Sequence, residues 1–155
     1  MNREIYKIVV DGDLQTVLPG YHFADSYGVN VGLTSLDAPQ ATATIFSDFP
    51  TWVRWLLSIR DRSVAVLGLK AVPKTGFPVL SETPDRVVLG MDDRHLDLRL
   101  IVSVSPDADG RCVAVTTLVR FNNRLGRAYL TAILPMHRLI SRAVLSRAAR
   151  RWQKT

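Results

Sequence analysis

The sequence predicts an α+β fold in which an antiparallel sheet packs around one long C-terminal helix. Three observations carry this reading. Residues 95–105 alternate: Leu96, Leu98, Leu100, Val102 and Val104 face one way, while His95, Asp97, Arg99, Ile101 and Ser103 face the other. A turn at Asp107-Ala108-Asp109-Gly110 leads into a second alternating run, with Val113, Val115, Thr117, Val119 and Phe121 on one side. From Leu125 the period changes to that of a helix, and Leu125, Tyr129, Ala132, Met136, Ile140 and Ala143 fall in one arc. A sheet with one apolar face needs a cover, and only this last helix is long enough to provide it.

The other elements follow in order. Glu4–Val10 reads as a short strand, and Asp11-Gly12-Asp13 as a turn. Tyr27–Leu33 alternates Tyr27, Val29, Val31 and Leu33 with Gly28, Asn30 and Gly32, giving a strand with one bare face. Asp37 suits the N-cap of a short helix over Ala38–Phe46, with Pro39 in its first turn. Pro50 opens a second helix whose apolar face is Trp52, Trp55, Leu56 and Ile59, and Gly68 ends it. Lys70–Gly76 is a loop, Phe77–Leu80 a short strand and Ser81–Asp85 a turn. Arg86–Met91 is a strand closed by a hairpin turn at Asp92-Asp93. The meander therefore has four or five strands.

Asn122-Asn123 leads into the last helix, with asparagine as its cap. Arg124, Arg127, Arg138 and Arg142 form a stripe opposite the docking face. Pro135 predicts a kink or a break. Beyond Leu145 the wheel inverts, because Arg147, Arg150 and Lys154 fall on the docking side. A buried arginine without a partner is too costly. The docked part is expected to end near Ser146, leaving a basic extension over residues 147–155 of a single domain spanning 1–155.

With 47% hydrophobic and 22% charged residues the chain is globular rather than disordered. Its single cysteine, Cys112, excludes an internal disulfide and multi-cysteine metal sites. No apolar run approaches the roughly 18 residues of a membrane span. The N-terminus lacks the apolar run of a signal peptide, so a soluble, cytoplasmic protein is expected. Nine of the 20 basic residues and none of the 14 acidic ones lie from Arg120 onward, so the remainder carries a net charge of −3. A basic end of this kind suits nucleic acid, an anionic membrane or an acidic partner; it also suits a helix dipole. Aromatic residues are sparse there, with Trp152 the one beyond Tyr129, which disfavours nucleic acid.

Several segments carry a family resemblance: Ala24-Asp25-Ser26-Tyr27, Pro50-Thr51-Trp52-Val53, Leu57-Ser58-Ile59-Arg60-Asp61, and Asp92-Asp93-Arg94-His95-Leu96-Asp97. Asn123 to Leu130 and Leu134-Pro135-Met136-His137-Arg138 complete the set, which spans about Phe23 to Ala149. On these residues the chain resembles a small bacterial family of unknown function, DUF2867. It also resembles the helix-grip fold of the START-like, Bet v 1-like (SRPBCC) superfamily. The resemblance implies a curved sheet wrapping the terminal helix, often with an apolar cavity between them. Some family members are fused behind NAD(P)-binding, short-chain-dehydrogenase-like domains, which implies a redox enzyme as partner. It implies no catalytic signature and no cofactor.

Two classes of chemistry follow. In a binding module, Trp52, Trp55, Leu56, Leu98, Tyr129, Ile133 and Met136 line a cavity for a small apolar molecule, or else simply fill the core. In a cyclase, hydrolase or isomerase, a cavity histidine acts as general base. The candidates are His95 with Asp97, two apart on one strand face, and His137 beside Pro135. His95 and Asp97 equally suit a solvated strand face with an Asp–Arg pair, and His137 equally suits a carbonyl freed by the proline. A third reading binds anions through Arg124, Arg127, Arg138 and Arg142. Scattered histidines give no metal ligand set, and neither a GxGxxG nor a Walker loop occurs. The oligomeric state is left open.

Overall fold

The computed structural model describes residues 4–10, 12–68 and 76–152. Its elements run β1 (Tyr6–Lys7), a 3-10 turn (Leu14–Thr16), β2 (Phe23–Gly32), α1 (Ala38–Phe46), α2 (Thr51–Val66), β3 (Val79–Glu82), β4 (Arg86–Asp92), β5 (Leu96–Asp107), β6 (Gly110–Phe121) and α3 (Arg124–Trp152). The expected turn at Asp11, the loop over Lys70–Gly76 up to residue 75, and Lys154 lie outside the described residues.

One six-stranded antiparallel sheet has the order β1-β2-β6-β5-β4-β3. The β5–β6 hairpin pairs Leu98 with Val119, Leu100 with Thr117 and Val102 with Val115, so the two alternating runs put their apolar sets on one face. The fold is α+β, a sheet with a long C-terminal helix in the manner of a helix grip. The two short strands expected at Glu4–Val10 and Phe77–Leu80 form the sheet edges as β1 and β3, and β3 extends through Glu82, a residue expected in a turn.

Helix α1 starts where expected. Asp37 accepts from the amide of Gln40 at 2.8 Å, and the Gln40 side chain accepts back from the Asp37 amide, a capping box. At the start of α3, Asn123 Oδ1 accepts from the amide of Gly126 at 3.0 Å. Gly126 is needed there because a Cβ would stand 2.0 Å from the His95 carbonyl oxygen. Helix α3 runs through Pro135 without a break.

The core falls into clusters on both faces of the sheet. On the α3 face, Val29, Val31, Val102, Val104 and Val113 pack with Ala38, Ala41 and Ile45 of α1 and with Val144, Leu145, Ala148 and Ala149 of α3. Leu96, Val119 and Leu130 form a second cluster near the start of α3. On the opposite face Leu18, Val88, Ile101 and Leu118 are buried beneath the segment around Leu14–Tyr21. The expected solvated face of β5 is therefore partly covered: Asp97 and Ile101 are buried.

The end of α3 corrects another expectation. The helix does not leave the body near Ser146, because Val144, Leu145, Ala148 and Ala149 continue the buried face and Trp152 packs against the same core. Arg147 escapes an unpaired burial by donating to Asp48: Nη1 to its carbonyl oxygen at 2.6 Å and Nη2 to its Oδ2 at 2.5 Å. Arg151 Nη2 donates to the same carboxylate. Among the described residues no helix is long and apolar enough to cross a membrane.

Candidate functional site

The docking face of α3 is buried at both ends, at Gly126 and Leu130 and again from Val144 to Ala149, but Ile133, Met136, His137, Ile140 and Ser141 are only half-buried. Between the two packed clusters lies a cavity of about 250 Å³. Its floor is the sheet (Met91, Leu96, Leu98, Leu100, Val115, Thr117, Val119) and its roof is α3 from Tyr129 to Leu145. Ile45, Phe46, Phe49 and Phe77 close one side, and Leu57, Arg60 and Asp61 of α2 another. The lining is aliphatic and aromatic with a few polar groups, as small-molecule sites are built.

Of the residues that periodicity nominates for a cavity, Leu98, Tyr129, Ile133 and Met136 line it. Trp52, Trp55 and Leu56 do not. Trp52 is 41% and Trp55 64% exposed, whereas Val53 is fully buried. Helix α2 turns its Val53, Leu57, Arg60 and Asp61 arc inward, displaced by about one residue from the tryptophan arc. Both arcs carry apolar residues, and Arg60 is tolerated on the inner one because its stem packs while its guanidinium meets polar neighbours. Arg60 Nε stands 3.8 Å from Asp61 Oδ1. Burial pushes the Tyr129 phenol up, and the Arg60 guanidinium beside it opposes that shift.

His95 and Asp97 do not form a pair, and neither lines the cavity. His95 Nδ1 meets Asn123 Nδ2 at 2.8 Å, which makes Nδ1 the acceptor because the Asn123 oxygen caps α3. Asp97 accepts from Arg120 Nη2 at 2.6 Å and from Asn122 Nδ2 at 3.1 Å. Asn122 also binds the His95 and Asp93 carbonyls, through its amide and its side chain. This network clasps the β4–β5 turn to the start of α3; it is structural, although Asp93 itself reaches the cavity wall.

His137 does line the cavity, and it does not merely serve a carbonyl freed by Pro135. Its Nε2 stands 3.2 Å from Asp25 Oδ1, a carboxylate whose side chain is 4% exposed. The His137 ring also packs edge-on against Phe23. Asp25 lies on β2, in register with Thr117 of β6. Periodicity did not nominate Asp25, since it precedes the alternating run that begins at Tyr27. The signal available was an aspartate two residues before a core tyrosine, on the same strand face. Burial, then Asp25, pushes the Tyr27 phenol up, while Arg138 and Arg142 oppose it. Arg142 lies 6.0 Å from the Tyr27 ring centroid. Arg124, Arg127, Arg138 and Arg142 are all exposed.

Among the described residues no cluster of three or more histidine, cysteine or carboxylate side chains gathers for a metal. The chain matches a family model described as "Protein of unknown function (DUF2867)" over residues 17–144. No curated protein matches it.

Proposed function

This chain belongs to the DUF2867 family, and we propose that it binds a small, largely apolar molecule in the cavity between its sheet and α3. One observation carries the reading: the docking face of α3 is packed at both ends and left half-buried over the two turns that roof the cavity. A helix used only as a cover would close that gap, since each unfilled methyl-sized space costs on the order of 1 kcal/mol. Leu98, Ile133 and Met136 supply apolar contact, and Arg60, Tyr129 and His137 give polar points that orient a ligand. We further assign the chain to the START-like (SRPBCC) group, as a cytoplasmic accessory to a redox enzyme. The helix-grip architecture supports the first assignment, and the fusions known in the family support the second by analogy.

Native mass spectrometry of protein purified from its own host tests the binding reading. A non-covalent adduct that is lost on denaturation is expected. A clean apo mass, with no stabilisation by a panel of lipids and aromatic metabolites, contradicts it.

A further inference from the structure

Besides Arg60, Asp61, Asp93 and Tyr129, the cavity lining carries three polar side chains, His137, Thr117 and Ser141. His137 and Ser141 are one helical turn apart on α3, and Thr117 faces Asp25 across the β2–β6 register. Asp25 holds His137 through Nε2, leaving Nδ1 as the ring nitrogen without a hydrogen bond among the described residues. The hydroxyls of Thr117 and Ser141 are uncommitted in the same sense. Comparable hydroxyls elsewhere are engaged: Thr131 on α3 donates to the Arg127 carbonyl, and Ser26 pairs with Thr116 at 2.8 Å. A base fixed by a buried carboxylate therefore lines the same cavity as two hydroxyl donors without a hydrogen bond among the described residues.

We propose that His137 transfers protons to and from the carbon beside the carbonyl of a small apolar ketone, with Asp25 as its positioning residue. The proposal rests on the cavity being a binding site, as argued above. The C–H bond breaks, its proton passes to Nδ1, and its electron pair forms the enolate double bond. The carbonyl π pair moves to oxygen, which accepts from Ser141 or Thr117. The proton then returns to the same carbon, or to the γ-carbon of an enone, so the step is an isomerisation and consumes no co-reactant. Acyl transfer fits less well. An oxyanion formed at Ser141 needs backbone donors, and the amides in the middle of a helix are spent on the helix itself.

The test uses 2-tetralone in buffered D2O. Proton NMR follows loss of the α-proton signal, and saturation transfer reports binding. The wild-type protein is expected to accelerate exchange on the order of 100-fold over buffer. Excess naphthalene, which fills the cavity but cannot enolise, is expected to suppress that acceleration without any variant. His137→Gln should abolish exchange while tetralone still binds. Asp25→Asn should slow exchange at unchanged Kd, and Asp25→Glu should restore part of it. Tetralone that binds wild-type protein yet exchanges at the buffer rate overturns the proton-transfer proposal and leaves the binding reading standing. Equal exchange rates in wild type and a folded His137→Gln also overturn it. Failure of both tetralone and naphthalene to bind overturns the two readings together.

Discussion

His137 and Asp25 are 112 positions apart in the chain, yet His137 Nε2 stands 3.2 Å from Asp25 Oδ1 under the middle of α3. That contact ties β2, next to the sheet edge, to the helix that roofs the cavity. It also puts an ionisable pair beside a wall that is largely aliphatic and aromatic. Asp25→Ala removes the acceptor and is expected to destabilise the fold by about 1–3 kcal/mol. Asp25→Asn, which keeps an acceptor oxygen, should lose less. Urea unfolding of the two variants gives the comparison.

Gly126 lies where α3 meets the β4–β5 turn. An added Cβ would stand 2.0 Å from the His95 carbonyl oxygen and 3.3 Å from the Leu96 side chain. Gly126→Ala should therefore cost about 1–3 kcal/mol, despite the better helix propensity of alanine. Thermal denaturation reads the sign directly: a raised Tm would mean that the helix start is not clasped to the turn.

Trp55 is largely exposed on the outer face of α2. Trp55→Ala should change stability by no more than about 0.5 kcal/mol, as is usual at surface sites. It should also leave ligand uptake intact. Ile133→Trp, which fills the cavity from α3, should abolish uptake. Loss of binding in Trp55→Ala would return the tryptophan face to the site.

Asp48 titrates below the usual carboxylate range because it accepts a hydrogen bond from Arg147, with the Arg147 charge acting in the same direction. A carboxyl depressed in the folded state adds stability that is present above its unfolded value and lost as pH falls through its folded value. The stability gap between wild type and Asp48→Asn should be constant near neutrality and close in acid. Melting curves from pH 7 down to pH 2 check this, and a gap that persists at the acid end would contradict it.

Much of this was legible in the sequence. The period-2 runs that became β5 and β6 have correct faces because a two-residue repeat leaves no choice of side. Asp37 ahead of Pro39, and the Asn122-Asn123 pair, announced the helix starts through cap chemistry. The docked end of α3 was hidden by its arginines. Arg147 looked unable to stay near the body because its acceptor, Asp48, lies 99 positions away. The inner face of α2 was ambiguous because two overlapping arcs both hold apolar residues. Asp25 was invisible as a partner of His137, since only the docking of α3 across β2 brings them together.

Crystals pressurised with xenon test the central claim most directly, because a dry apolar cavity takes up xenon without any chemical recognition. A xenon peak is predicted between Leu98 and Leu100 of the sheet and Ile133 and Met136 of α3, with His137 at its edge. It should vanish in Ile133→Trp crystals. Side chains closing that space, with no xenon between sheet and helix, would make α3 a simple cover and contradict the account.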